Sequence, residues 1–360
     1  MKVAMFNSFS PLREYAFKIL YNFDKLGKNV DLFYTHYDNL TFNKKNVKKI
    51  YPTRLLVFRQ LLNDLVFTPL KIPKDYDIYH MTNQGCSSYF KYLPKNKKVV
   101  VTIHDLVPFT NQVNKFSLRN LVTRNIVKQA KNADKIIAIS ENTKQDIIKY
   151  LNIPDSKINV VYNGITHDVF YPRNKKKIRK ELGIKDQKII LHVTIDEPRK
   201  NIDTILKAMV SLKKKYPNII LFRVGKTRKE TLDLVEKLGL QDNFRPFGYL
   251  DEIALAKLYN IADVFVFPSS YEGFGLPPLE AMASGCPVVS SNATSLKEVL
   301  GSSALIIDPK DEIALAFNIN KIFKDNSLAS SLIKKGIKQA SKFTWENCAK
   351  GTWKTYEGLF

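Results

Sequence analysis

Short apolar runs alternate with amphipathic segments of helical length along the whole chain of 360 residues. In the first half, β-branched and aromatic runs predict strands at 2–7, 29–34, 78–81, 99–104, 135–140 and 158–162. In the second half they predict strands at 188–193, 218–224, 264–268, 287–291 and 304–308. Several are apolar on successive residues, as in Val99-Val100-Val101 and Val264-Phe265-Val266-Phe267. Such strands are buried on both faces, which parallel sheets covered by helices require. Periodic segments between them, such as 117–131, 141–151 and 251–261, predict the covering helices. The βαβα rhythm implies right-handed crossovers and doubly wound sheets. It breaks at 164–180, where Gly164, Pro172 and the basic run 173–180 suggest a solvated linker leading into a helix. The expected division is therefore an N-terminal domain at 1–164 and a C-terminal domain at 165–341. The aromatic-rich tail 342–360 is too apolar to be loose and is expected to cross back as a helix onto the first domain.

Length agrees with two cores rather than one. No apolar run approaches the length of about 18 residues that spans a bilayer. The first residues read as a buried strand rather than a signal peptide. Cys86, Cys286 and Cys348 are widely separated and in no metal-binding spacing. They read as reduced thiols of a cytoplasmic protein. The formal net charge of +23 changes the picture by its distribution. Residues 1–180 hold 32 Lys and Arg against 13 Asp and Glu, a balance of +19; residues 181–360 hold 25 against 21, a balance of +4. A basic first half suggests an anionic partner, and the lysines are equally those of a scattered solvated surface. With no nucleic-acid motif and no single basic stripe, nucleic acid is the weaker partner reading.

The chemistry is concentrated in 264–285. A buried strand ends at Pro268, a loop follows with Gly273 and Gly275, and a short helix starts near Leu276 and ends at Gly285. The glycines let backbone approach a ligand closely. A helix start at the carboxyl end of a parallel strand is suited to an anion. Glu272 and Glu280 flank the loop with seven residues between them, and carboxylates accept hydrogen bonds from the hydroxyls of a ribose or hexose. Taken alone, either glutamate is an ordinary solvated side chain.

This stretch resembles the donor-site motif of GT-B glycosyltransferases, in particular the retaining family four (group 1). The resemblance runs in order through Thr102-Ile103-His104-Asp105, Ile139-Ser140-Glu141-Asn142-Thr143, Val160-Val161-Tyr162-Asn163-Gly164-Ile165, Glu197-Pro198-Arg199-Lys200-Asn201 and Phe247-Gly248-Tyr249-Leu250. It implies two Rossmann-like α/β domains facing across a cleft and a nucleoside diphosphate sugar as donor. It also implies no cofactor and no metal, and no Asp-x-Asp motif stands at a strand end. Residue by residue, it makes Glu280 the ribose ligand and places Glu272 near the donor sugar. The backbone of Gly273, Phe274, Gly275 and Leu276 would hold the diphosphate and sugar. Lys200 would be the cation that neutralises the leaving diphosphate, with Arg199 as a second candidate. His104 would contact acceptor or sugar from the first domain, while His192, inside a strand, is assigned to packing. The expected catalytic set is thus His104, Lys200 and Glu272.

The chain departs from this pattern in two places. Residues 7–13 contain no glycine where the family has a glycine-rich loop, and Thr194 and Ile195 replace a glycine and a polar residue after the strand at 188–193. The reaction implied is transfer of a hexose of the mannose, glucose or galactose class, with retention, to a glycan, lipid-linked or protein acceptor. The location implied is cytoplasmic, with peripheral contact to anionic membrane at its inner face open. A catalytically weakened nucleotide-sugar-binding protein and another enzyme on the same fold stand as alternatives.

Overall fold

A computed structural model of the chain describes residues 1–7, 13–34, 46–49, 72–113 and 117–360. Residues 8–12, which carry most of the glycine-free segment noted above, lie outside them. The chain divides into two compact units, one of residues 1–164 with 345–360 and the other of residues 165–344.

The first unit holds a seven-stranded sheet built from β1 (Val3–Asn7), β2 (Val30–Tyr34), β3 (Val47–Lys49), β4 (Ile78–Met81), β5 (Lys98–Ile103), β6 (Lys135–Ala138) and β7 (Ile158–Val160). Their order is β3-β2-β1-β4-β5-β6-β7, and every pair is parallel. Helices α1 (Arg13–Lys25), α2 (Leu118–Lys128) and α3 (Glu141–Leu151) belong to this unit. β6 stops at Ala138, short of the expected 140, because Ser140 caps α3 by accepting from the Thr143 N–H. One sheet face is covered by α1 together with a C-terminal helix at Trp345–Glu357, which brings Trp345, Cys348, Ala349 and Tyr356 against Tyr15, Ala16, Ile19 and Phe23. Tyr356 also hydrogen-bonds the buried His80 through Nδ1 at 2.6 Å, and His80 bonds Thr102 through Nε2 at 2.8 Å. A buried polar chain of this kind fixes where the helix docks.

The second unit holds β8 (Ile189–Val193), β9 (Ile220–Val224), β10 (Phe244–Phe247), β11 (Val264–Phe267), β12 (Val288–Ser291) and β13 (Leu305–Ile307). They form a parallel sheet in the order β10-β9-β8-β11-β12-β13. Helices α4 (Lys175–Glu181), α5 (Ile202–Lys213), α6 (Lys229–Lys237), α7 (Glu252–Ile261), α8 (Leu276–Ala283), α9 (Leu296–Leu300), α10 (Glu312–Lys324) and α11 (Asn326–Ala340) flank it. The C-terminal helix Trp345–Glu357 is then α12. The apolar runs of β8, β9, β11 and β12 supply one core with α5 and α10, including Ile190, Leu221, Val264, Val266, Val289, Leu206 and Leu315. No helix among the described residues is long and apolar enough to cross a membrane.

Two strands were not expected. β3 and β10 both lie at sheet edges, and β10 carries Pro246. Edge strands pair on one side only, so they tolerate proline and charge and lack the doubly apolar pattern that reveals a central strand. The basic run enters a helix, and its side chains are less solvated than expected. From Lys175 it is helix α4, with Ile178 buried and both Lys175 (2.8 Å) and Arg179 (2.7 Å) paired with Asp263. Those pairs hold the Asp263 carboxyl below its usual range although burial opposes them.

Candidate functional site

The strand order of the second unit reverses between β8 and β11, and ligands of open α/β sheets bind outside the carboxyl ends at such a switch point. The loops leaving these two strands carry most of the expected site residues. After β8, Asp196 turns away from the switch. Its carboxylate accepts from the Arg228 N–H (2.8 Å), Arg228 Nε (3.0 Å) and Thr231 Oγ1 (2.8 Å), which ties the loop to the start of α6. Pro198–Lys200 then forms one 3-10 turn. Asn201 follows in the left-handed region at φ 50°, where asparagine is among the few residues easily tolerated. Its amide donates to Pro268 O and Ser270 Oγ, both at 2.7 Å. Ser270 N donates to Arg199 O at 2.7 Å, and the Arg199 guanidinium donates to Tyr271 O at 2.7 Å. The two loops are thereby joined through backbone atoms, which leaves little freedom to the side chains between them.

Those side chains are Arg199, Lys200 and Glu272. Lys200 is only 5% exposed and donates to Glu272 Oε1 at 2.5 Å. Arg199 lies 3.6 Å from the other Glu272 oxygen and also pairs with Glu197 at 2.8 Å. Burial pushes the Lys200 ammonium below its ordinary value, against the attraction of Glu272. Burial would raise the Glu272 carboxyl, but the Lys200 and Arg199 charges together hold it below its usual range. A buried pair gains little net stability against its desolvation. What it supplies here is a cation held in one place.

The loop after Glu272 is fixed from beneath. Thr294, itself left-handed at φ 47°, accepts from Glu272 N and donates to Glu272 O, both at 2.8 Å. Ser295 Oγ bridges Glu272 O (2.9 Å) and Phe274 O (3.0 Å). The Phe274 ring is buried against Phe343. Gly275 takes φ 108° and caps α8 without a side chain. Because Pro277 and Pro278 bring no N–H to the first turn, donors for an anion at this helix start must come from the residues up to Leu276. On α8, Glu280 accepts from the buried Tyr259 hydroxyl at 3.0 Å. Burial and the Glu280 charge push that hydroxyl well above its ordinary value, so it remains a donor.

Gly275 makes a direct prediction. A Cβ there would stand 2.6 Å from Leu296 Cδ2 and would force a side chain into the left-handed region. Gly275→Ala is expected to destabilise by about 1–3 kcal/mol, seen as a lower melting temperature together with weaker nucleotide binding. An alanine variant with unchanged melting and binding would show that this backbone conformation is not needed.

His104 belongs to the first unit and is not part of this cluster. It is buried at the end of β5, with Nε2 2.8 Å from Thr82 O and its ring edge-on to Tyr15 at 4.6 Å. Burial pushes its pKa down to about 4. A neutral ring bonding a carbonyl through Nε2 carries its proton there, so Nδ1 is left as the acceptor. His192 is buried, with Nδ1 donating to Val266 O at 2.9 Å. The three cysteines are buried and form no disulfide. Asp196, Tyr259, Thr294 and Ser295 carried no signal in the sequence, since each acts through a partner 20 or more residues away that only the fold brings near.

Comparison with known proteins gives the same picture at two levels. Residues 174–339 match the family model for glycosyl transferases group 1, and residues 14–169 match that for glycosyltransferase family 4. The chain is 33% identical over 295 residues to O-antigen chain mannosyltransferase B of Escherichia coli, covering 79% of this chain and 75% of that protein. It is 32% identical over 263 residues to the serotype-specific mannosyltransferase WbdA of Escherichia coli, covering 70% of this chain but only 32% of WbdA. Among solved structures, sucrose-phosphate synthase from Thermosynechococcus elongatus superposes with a TM-score of 0.84 at 24% identity, covering 100% of this chain and 99% of that one. HepE of Anabaena in complex with UDP and glucose gives 0.81 at 19% identity, with 99% of each chain covered. At these identities the likeness shows the fold.

Proposed function

Since the chain belongs to the group 1 glycosyltransferases and carries their GT-B fold, we propose that it transfers a hexose with retention from a nucleoside diphosphate sugar to an acceptor hydroxyl of a glycan. The observation that carries this reading is the cluster of Lys200, Arg199 and Glu272 at the switch point, beside the backbone that enters α8. Mannose is the first sugar to consider, because the relatives O-antigen chain mannosyltransferase B and WbdA bear that activity in their names. The diphosphate lies along Gly273–Leu276, Glu280 accepts from the ribose, and Glu272 stands near the sugar.

In the reaction the bond between the anomeric carbon and the phosphate oxygen breaks. The acceptor oxygen bonds to that carbon on the same face, and its proton passes to the departing phosphate. Negative charge grows on the phosphate as this happens, and a fixed cation stabilises it without reorganising. Lys200 is that cation. His104 of the first unit, neutral with Nδ1 accepting, is our candidate for a contact to a sugar or acceptor hydroxyl.

Two measurements test the reading. Purified protein is screened for thermal stabilisation by GDP, UDP and ADP and their hexose conjugates, because a ligand of the native state raises its stability. Sugar transfer is then followed by nucleotide release, with the anomer assigned by NMR. Absence of stabilisation by every nucleotide overturns the reading; stabilisation without transfer leaves a binding protein; an inverted product overturns retention. Glu280→Ala is expected to weaken nucleotide binding about ten- to hundredfold, the loss of a charge-assisted hydrogen bond worth roughly 1.5–3 kcal/mol. Unchanged nucleotide affinity in a folded Glu280→Ala protein would remove Glu280 from the site.

A further inference from the structure

Between the two glycines of the loop that enters α8, only Phe274 carries a side chain. Glycine leaves the backbone unusually free on either side of it, and Phe274 itself is buried, at 4% exposure. Its ring meets Phe343 edge-on, with centroids 5.6 Å apart at 80°. Phe343 follows the end of α11, its N–H donating to Ala340 O at 3.0 Å. Helix α11 in turn lies close against α8, where a Cβ added at Gly336 would stand 3.1 Å from Met282 Cγ. The loop that opens α8 and the turn that closes α11 therefore meet at this ring pair.

Phe343 also stands where the chain passes between its two units. Those passages are Gly164–Ile165 and Thr344–Trp345. Ile165 and Thr344 form a parallel bridge. Phe343 O accepts from Ile165 N at 3.2 Å and from His167 Nε2 at 3.1 Å. The ring of Phe343 thus holds the loop, and its carbonyl holds the crossing segments. We propose that Phe343 is a positioning residue that couples the two: an anion held by the backbone of Gly273–Leu276 steadies the paired segments at Ile165 and Thr344, and those segments steady the loop. Phe343 has this role only if the diphosphate lies along Gly273–Leu276, as in the reading above. Coupling of this kind is reciprocal, so each end changes the other by the same factor. The usual strength of an edge-to-face ring contact sets that factor at about two- to tenfold.

Nucleotide titration and hydrogen exchange of the full chain test it together. GDP, UDP and ADP are titrated by calorimetry, and amide exchange is followed with and without saturating nucleotide. In the parent chain, bound nucleotide is expected to slow exchange at 273–276 and also at 165–167 and 343–344, by about two- to tenfold at the crossing segments. Phe343→Leu keeps apolar bulk but loses the ring contact. It is expected to bind nucleotide about two- to tenfold more weakly. At saturation it should lose the protection at 165–167 and keep that at 273–276. Phe343→Ala is expected to go further in the same direction; where it does not fold, the leucine variant decides. A parent chain that binds nucleotide without protection at 165–167 overturns the proposal. So does a leucine variant with parental affinity and parental protection, even at a lower melting temperature, since Phe343 would then be a packing residue only. Absence of binding by all three nucleotides overturns the donor reading itself, and the coupling with it.

Discussion

Lys200→Ala is expected to lower the turnover of sugar transfer on the order of a hundredfold or more, as for the loss of one preorganised donor to a developing anion, and to weaken donor binding far less. The reason lies in how the ammonium is held. It is buried, bonded to Glu272 at 2.5 Å and carried on a turn whose backbone is tied to the β11 loop. In the free site Lys200 and Arg199 are matched by Glu272 and Glu197, so the ground-state donor meets a cluster with little net charge. In the proposed reaction the charge that grows as the glycosidic bond breaks falls on the leaving phosphate, which the proposal sets against Lys200, and only an interaction that strengthens at that moment speeds the reaction. Arg199 keeps Glu272 from being left alone when Lys200 is removed, which limits the folding cost and leaves the variant testable. Lys200→Arg is expected to restore activity only in part, because a planar guanidinium is larger and spreads its charge. Steady-state kinetics with donor affinity measured separately decide the matter. An alanine variant with intact turnover and a raised donor KM would make Lys200 a binding residue only.

Acidification is expected to unfold the first unit before the second. Burial pushes His80 to about 3, His104 to about 4 and His192 to about 3, while in an unfolded chain each titrates near 6.5. All three are neutral when folded. Their contribution to stability is therefore complete above about pH 6.5 and is lost as pH falls towards the folded values, because the unfolded chain binds the protons first. By pH 4.5 each histidine has lost about 2–3 kcal/mol, at about 1.4 kcal/mol per pH unit. His80 and His104 lie in the first unit and His192 in the second, so the first unit loses twice as much from this source, a large part of a typical stability of about 5–15 kcal/mol. Both tryptophans, Trp345 and Trp353, are on α12 in the first unit. Tryptophan fluorescence should thus change at a higher pH than the far-ultraviolet circular dichroism of the whole chain. Coincident transitions, or a fluorescence signal flat from pH 7 to 4.5, would show that these histidines do not govern acid stability.

Much of this protein could be read from its sequence because the relevant physics is local. A strand buried on both faces must be apolar on successive residues, and this revealed β1, β5, β8 and β11. A capped helix after a glycine loop has a characteristic run of residues, and 273–285 shows it. The edge strands β3 and β10 escaped because half of their backbone pairing is absent and their side chains need not be apolar. The helix start in the basic run was legible, but its ion pairs were not, because Asp263, the residue that pairs Lys175 and Arg179, stands more than 80 positions later.

The site divides in the same way. Glycine at 275 and two prolines after it are dictated by backbone geometry within a few residues, so the sequence alone determines where α8 begins. Lys200 and Glu272 are 72 residues apart, and they meet because β8 and β11 are neighbours in the sheet although they are not consecutive in the chain. Thr294 and Ser295 reach the Glu272 backbone only across β12, and Asp196 reaches Thr231 only across β9. Whether His104 is charged could not be inferred from its neighbours in sequence, since its environment is made by Tyr15 and Thr82. Side-chain identity determines what a residue can donate or accept. Its partner, its burial and hence its charge are decided by strand order, because desolvation and Coulomb forces depend on distance in space and not along the chain.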